Sequence, residues 1–155
     1  MKGKIISINI SKEKGVSKKP IKKNDYAILK ENFGIVGDVH SGTEREVSFL
    51  GQETIEKWLK TKIKNQKIQI KPGSFAENIT TKGINWEKVK CGDKIKVRDA
   101  VLIITQIGKF CHSACNIRKL FGDCIMPKEG IFAKVIKGGK IKCGDKITIN
   151  IEGLL

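Results

Sequence analysis

Short runs of β-branched residues, each cut off by glycine, proline or a Gly-Asp pair, set the strongest limit on what this chain can fold into. Apolar and polar residues alternate from Ile6 to Ile10 within Lys4-Ile5-Ile6-Ser7-Ile8-Asn9-Ile10, the period of a half-buried strand. Further strand-like runs cover Asp25 to Leu29, Arg45 to Leu50, Phe75 to Thr81, Lys94 to Val97, Ala100 to Gln106, Gly130 to Ile136 and Lys146 to Ile151. Lys71-Pro72-Gly73-Ser74 and Gly138-Gly139 read as turns between them. Helical spacing occurs twice. Ile55, Trp58 and Leu59 share a face within Gln52 to Lys60, and Ile117, Leu120 and Phe121 share one within His112 to Phe121. The expected fold is therefore mostly β, a closed or nearly closed barrel with about two short helices. No βαβ rhythm and no Gly-rich phosphate loop is visible.

The chain's 155 residues suit one domain spanning 1–155. No run approaches the ~20 apolar residues of a membrane span, and Met1 to Ser7 passes directly into a strand pattern. No membrane association and a cytoplasmic location are the expectations. The five cysteines, at 91, 111, 115, 124 and 143, fit reduced thiols better than a disulfide framework. Cys91 and Cys143 occupy equivalent places in Val89-Lys90-Cys91-Gly92-Asp93-Lys94-Ile95 and Ile141-Lys142-Cys143-Gly144-Asp145-Lys146-Ile147, where Gly-Asp is tight-turn chemistry, so both read as structural.

A net charge of +15 raises the question of nucleic acid. Against it, only Arg45, Arg98 and Arg118 among the 31 basic residues are arginines, and the aromatic residues are not interleaved with basic ones as a stacking platform needs. Scattered lysine reads first as a solubilising surface. The lysine-rich stretch from Ser11 to Lys23, with Pro20, reads as an exposed loop, a solvated connection before it is a basic lip over an anion site.

Two segments carry more chemistry. Gly34, Gly37 and Gly42 punctuate Asn32 to Gly42 around Asp38 and His40, and glycine there lets backbone approach a ligand or adopt positive φ. Cys111 follows the apolar strand Val101 to Ile107 and the residues Gly108-Lys109-Phe110, and a cation beside a thiol favours the thiolate over an ordinary pKa of ~8.5. Such a cysteine can attack, accept sulfur or bind a soft metal; it can equally be a small buried hydrophobe. Cys111, His112, Cys115 and Cys124 also offer zinc-type ligands, although the C-x3-C and C-x8-C spacings depart from ordered C-x2-C pairs.

Taken in order, Gly37-Asp38-Val39-His40-Ser41-Gly42, Arg45 to Leu50, Pro72 to Ile79, Gly92-Asp93, Gly108-Lys109-Phe110-Cys111-His112, Met126 to Ala133, Gly138-Gly139 and Gly144-Asp145 resemble the MOSC family. This domain also forms the C-terminus of the pyridoxal-phosphate-linked molybdenum cofactor sulfurases and occurs in amidoxime-reducing molybdenum enzymes. The resemblance spans about Ile5 to Ile149. It implies a barrel of the pyruvate-kinase type and a role with molybdenum cofactor or sulfur. The family's characteristic cysteine falls on Cys111, as a persulfide carrier or a molybdenum ligand, both of which need a soft thiolate. Asp38, His40, Arg45, Glu77, Asn78, Lys109 and His112 would line the cofactor site, with Arg45 and Lys109 pairing anionic oxygens; Asp38 and Asn78 are also suited to capping turns.

The chain shows no pyridoxal-phosphate desulfurase region and none of the extra N-terminal β region of the amidoxime reducers, so no pyridoxal phosphate site is expected in it. What the resemblance implies is a stand-alone binder of molybdenum cofactor or carrier of sulfur, with cofactor-assembly proteins and a cysteine desulfurase as partners. The alternatives are a sulfurtransferase, a molybdenum-dependent reductase of N-hydroxylated compounds, for which no haem, flavin or iron–sulfur signature supplies electrons, and a basic nucleic-acid module.

Overall fold

The computed structural model describes residues 1–62, 69–110, 116–121 and 124–150. β1 (Lys2–Ile10) is the predicted first strand, but its alternation is broken by a bulge between Ile5 and Ser7. The extra residue moves Ile5 and Ile8 both onto the core side and leaves Ile6 half-buried, a shift that a strict period of two does not foresee.

Seven strands close the barrel. β1 pairs with β6 (Ile79–Lys82), and around the ring follow β5 (Val47–Gly51), β9 (Ile131–Lys137), β8 (Ala100–Ile107), β7 (Lys94–Val97) and β11 (Lys146–Asn150), which pairs back onto β1. Ile5, Phe49, Ile79, Ile95, Leu102 and Ile149 are among the side chains that fill its interior. β2 (Lys19–Pro20) extends the sheet beside β1, while β3 (Ala27–Lys30), β4 (Gly34–Ile35) and β10 (Gly139–Ile141) form a separate three-stranded sheet.

β5 and β6 run parallel, although no βαβ rhythm is apparent in the sequence. Parallel neighbours need a long crossover, and α1 (Gln52–Lys62) begins it. Ile55 is buried, with Trp58 and Leu59 packed around it, as their spacing predicts. They join Leu50, Phe75, Ile117, Ile125, Met126 and Phe132 in a second apolar cluster outside the barrel. The other helices are α2 (Asn116–Phe121), within the second predicted helix, whose residues 112–115 lie outside the described ones, and α3 (Met126–Glu129). The helices therefore number three among the described residues, with a 3-10 turn at Trp86–Lys88. α3 is too short to show a period; Pro127 starts it and Gly130 follows it.

The duplicated phrase folds twice in the same way. Lys90 N donates to Asp93 Oδ2 at 2.9 Å and Lys142 N to Asp145 Oδ2 at 2.8 Å, with Gly92 and Gly144 at φ of 98° and 92°. Cys91 is exposed, and Cys143 donates its thiol to the carbonyl of Ile6.

Candidate functional site

Asp38 lies in the loop after β4, where Ser11 N and His40 N both donate to its carboxylate, each at 3.1 Å. The carboxylate thus caps local backbone, as its residue type favours. It also does more. The Lys18 ammonium sits 2.8 Å from each of its oxygens, and both side chains are fully enclosed.

That pair corrects the reading of Ser11 to Lys23 as a uniformly exposed loop. Lys18 is only 3% exposed, because Lys18 N bonds to the carbonyl of Gly73 at 2.7 Å and draws the segment onto the 71–74 turn. Gly73, at φ 89°, is the one residue type that permits this approach, since a β-carbon there would lie 2.3 Å from the Lys18 carbonyl oxygen. Nothing in Ser17-Lys18-Lys19-Pro20 marks out Lys18 among so many lysines.

Lys18 reaches on to His40, its Nζ 2.9 Å from Nδ1. An ammonium has no lone pair, so Nδ1 accepts and the ring is the neutral tautomer protonated at Nε2. Burial, and then the positive charge of Lys18, push the His40 pKa down to about 4. Burial works to raise the Asp38 carboxyl, but the hydrogen bond and charge of Lys18, with donors from Ser11 and Asn78, outweigh it and hold the group below the usual carboxylate range. Burial lowers Lys18 itself, against the pull of Asp38. The positive charge of Lys109 is felt at both Lys18 and His40.

Glu77 and Asn78 stand directly behind this group, both completely buried. Glu77 accepts from Phe75 N at 3.2 Å and from Thr80 Oγ1 at 2.9 Å, and burial raises its pKa despite those donors. Asn78 stitches strands together: its Oδ1 accepts from Ser48 N and its Nδ2 donates to the carbonyl of Asn9. Asn9, in turn, donates to Thr80 Oγ1, so the buried polar groups of β1, β5 and β6 satisfy one another.

Arg45 is different. Its guanidinium carbon lies 5.8 Å from the centre of the Phe132 ring, and its Nε is buried with no hydrogen-bond partner. A buried charged donor left unpaired is costly, and a hydrogen-bond acceptor from water or a ligand satisfies it. Lys109 N bonds to the carbonyl of Pro127, and Gly108 N to that of Gly130 at 2.7 Å, so the 108–110 and 126–130 phrases are held together. A β-carbon on Gly108 would lie 2.6 Å from the Pro127 carbonyl. Cys111 and His112 lie outside the described residues, as does Cys115. A cavity of about 840 Å³ opens beside Gly37, walled by Ser11, Ser17 and Lys19 on one side and Lys119 and Leu120 of α2 on the other.

A model described as the MOSC domain matches residues 36–148. The chain belongs to the MOSC domain family. Solved structures similar to this MOSC domain include the YuaD protein from Bacillus subtilis, with a TM-score of 0.77 and 19% identity over 96% of each chain. YiiM from Escherichia coli gives 0.72 at 18% identity, covering 97% of this chain and 70% of that one. YiiM from Geobacillus stearothermophilus gives 0.72 at 20% identity, covering 99% and 78%. At such identities the likeness establishes the fold, including the closed barrel expected from the sequence. No curated protein matches the sequence. Among the described residues no cluster of His, Cys, Asp and Glu could hold a metal ion; of the four zinc-type residues, only Cys124 is among them.

Proposed function

We propose that this MOSC domain binds the molybdenum cofactor, with Cys111 providing the thiolate that ligates the metal or carries sulfur to it as a persulfide. The observation that carries the reading is the buried, unpartnered Nε of Arg45. It stands on the same β4–β5 loop as Asp38 and His40, in a domain of a family associated with this cofactor. The residues suit an anionic group. Arg45 and Lys109 supply positive charge, neutral His40 retains a proton on Nε2, and the enclosed Lys18–Asp38 pair holds His40 in place rather than facing a ligand.

In this reading Arg45 and Lys109 pair anionic oxygens of the cofactor, and the charge-assisted geometry of arginine fixes orientation as well as energy. Glu77 and Asn78 act behind them, holding the 71–78 segment that anchors Lys18. When bound, the cofactor supplies redox chemistry at its metal. As a sulfur carrier, the Cys111 thiolate takes the outer sulfur of a donor persulfide on a cysteine desulfurase, and the donor leaves as its own thiolate. No helix among the described residues is long and apolar enough to cross a membrane, which agrees with the cytoplasmic setting we assign to this exchange.

Protein prepared from molybdate-replete cells tests the proposal by metal analysis, pterin fluorescence and mass spectrometry of Cys111. Wild type carries molybdenum and pterin, Arg45→Gln loses most of both, and Cys111→Ser loses metal or persulfide. Equal molybdopterin content and equal persulfide loading in wild type and Cys111→Ser overturn it.

A further inference from the structure

The three-stranded sheet has an outer face that the site above does not use. Ala27, Leu29 and Ile141 point into the core, so the alternation turns Tyr26, Ile28, Lys30 and Lys140 outward. Tyr26 and Ile28 are 45% and 44% exposed, and Val36, hydrogen-bonded through its N–H to the Ile28 carbonyl, is 51% exposed. Around the Tyr26 ring gather three cations from two segments: Arg98 at 5.2 Å, and Lys142 at 5.3 Å and Lys140 at 5.5 Å from its centre. The acidic side chain bonded within this group is Asp145, 2.6 Å from Arg98 Nε.

We infer that this face binds single-stranded nucleic acid, the three cations contacting phosphates and the exposed Tyr26, Ile28 and Val36 side chains meeting the bases. Three positive charges around one ring repel one another, and one carboxylate offsets one of them. A polyanion offsets the rest. The face is open, and none of these residues lines the cavity beside Gly37. A small anion on such a surface has few groups to contact, whereas a chain of phosphates accumulates contacts along it. Exposed Ile28 and Val36 continue from Tyr26 across the sheet, an apolar row beside a cationic one. That pairing suits bases and backbone together.

Arg98 adds a second line of support. It occupies the Val97–Ala100 turn at φ 51°, a left-handed position that glycine or asparagine fills with less strain. The turn thus retains a guanidinium at a conformational cost, and the bond to Asp145 aims it beside Tyr26. Folding here gathers basic residues from distant parts of the sequence around one aromatic ring, Tyr26.

Fluorescence anisotropy with a fluorescein-labelled oligothymidylate, over a range of salt, tests the inference. Lys140→Gln combined with Lys142→Gln weakens binding at least tenfold at low salt. The same pair lowers the slope of log K against log salt by about 1.4, since each phosphate neutralised on a single strand contributes ~0.7. Tyr26→Ala weakens binding at least fivefold and leaves the slope unchanged. The charge-matched pair Lys94→Gln with Lys96→Gln, exposed on β7, stays within twofold of wild type. Absence of binding at low salt overturns the inference. So does an equal loss in the Lys94/Lys96 pair, which would reduce the effect to overall charge, or capture by phosphatidylserine vesicles under conditions where the oligonucleotide is not bound. None of these readouts depends on molybdenum or Cys111.

Discussion

The ammonium of Lys18 bridges both carboxylate oxygens of Asp38 at 2.8 Å, and neither side chain reaches solvent. Two charges are buried together, twenty positions apart in sequence, where a surface loop was expected. Each excuses the burial of the other, so removing one leaves a stranded charge.

Lys18→Met and Asp38→Asn are each expected to destabilise the protein by about 3–5 kcal/mol, the range for an uncompensated buried partner. Urea unfolding of the single variants and of Lys18→Met/Asp38→Asn measures this. The double variant falls well short of the sum of the singles.

His40 is expected to titrate at about 4 in wild type. A base whose folded pKa lies below its unfolded value of ~6.5 leaves the unfolded chain binding more protons between the two. Its contribution to stability is therefore lost as pH falls through that window. Lys18→Met removes a positive neighbour and leaves Asp38 in place, so the His40 midpoint moves up. NMR of the ring protons in a His112→Gln background reads one histidine and follows both variants.

Glu77 gives the opposite slope. Its folded pKa is raised by burial, so the folded chain retains a proton that the unfolded chain releases above about 4.5. Stability attributable to this group falls as pH rises from there through the folded pKa. Glu77→Gln removes that dependence while preserving an acceptor for Phe75 N. Unfolding midpoints measured across the acid range check the sign.

Gly73→Ala is expected to cost more than ~2 kcal/mol, combining left-handed strain with the 2.3 Å clash against Lys18. Because the clash displaces the Lys18 backbone, the same variant raises the His40 midpoint, a readout that general loss of packing does not predict.

Much of the barrel was legible because its strands are short, β-branched and bounded by glycine, and because two copies of a Cys-Gly-Asp phrase specify identical turns. The parallel β5–β6 pair was not, since among the described residues its crossover carries one helix, α1, and no repeated strand–helix rhythm marks it. The bulge at Ile5–Ser7 escaped for a related reason: it is set by the partner strand β6 and not by β1's own pattern. In the site, Asp38 and His40 were marked by residue type and glycine context and Asn78 by the resemblance, and Lys18 links Asp38 to His40. Lys18 was illegible because burial by a distant turn leaves no trace in the composition of a lysine-rich segment. Arg45 was picked out by resemblance, and its unpartnered Nε emerges only when packing around Phe132 is known.

The barrel closes through its last strand. β11 joins β7 to β1, and Met1 exchanges hydrogen bonds with Ile149 in both directions, at 3.0 and 2.8 Å. During synthesis, then, β1 and β7 each wait with an open edge until Asn150 has cleared the ribosome. Such edges are templates for pairing with another chain, so the interval between translation of β7 and of β11 is when this protein is most dependent on slow, uncrowded emergence or on a chaperone.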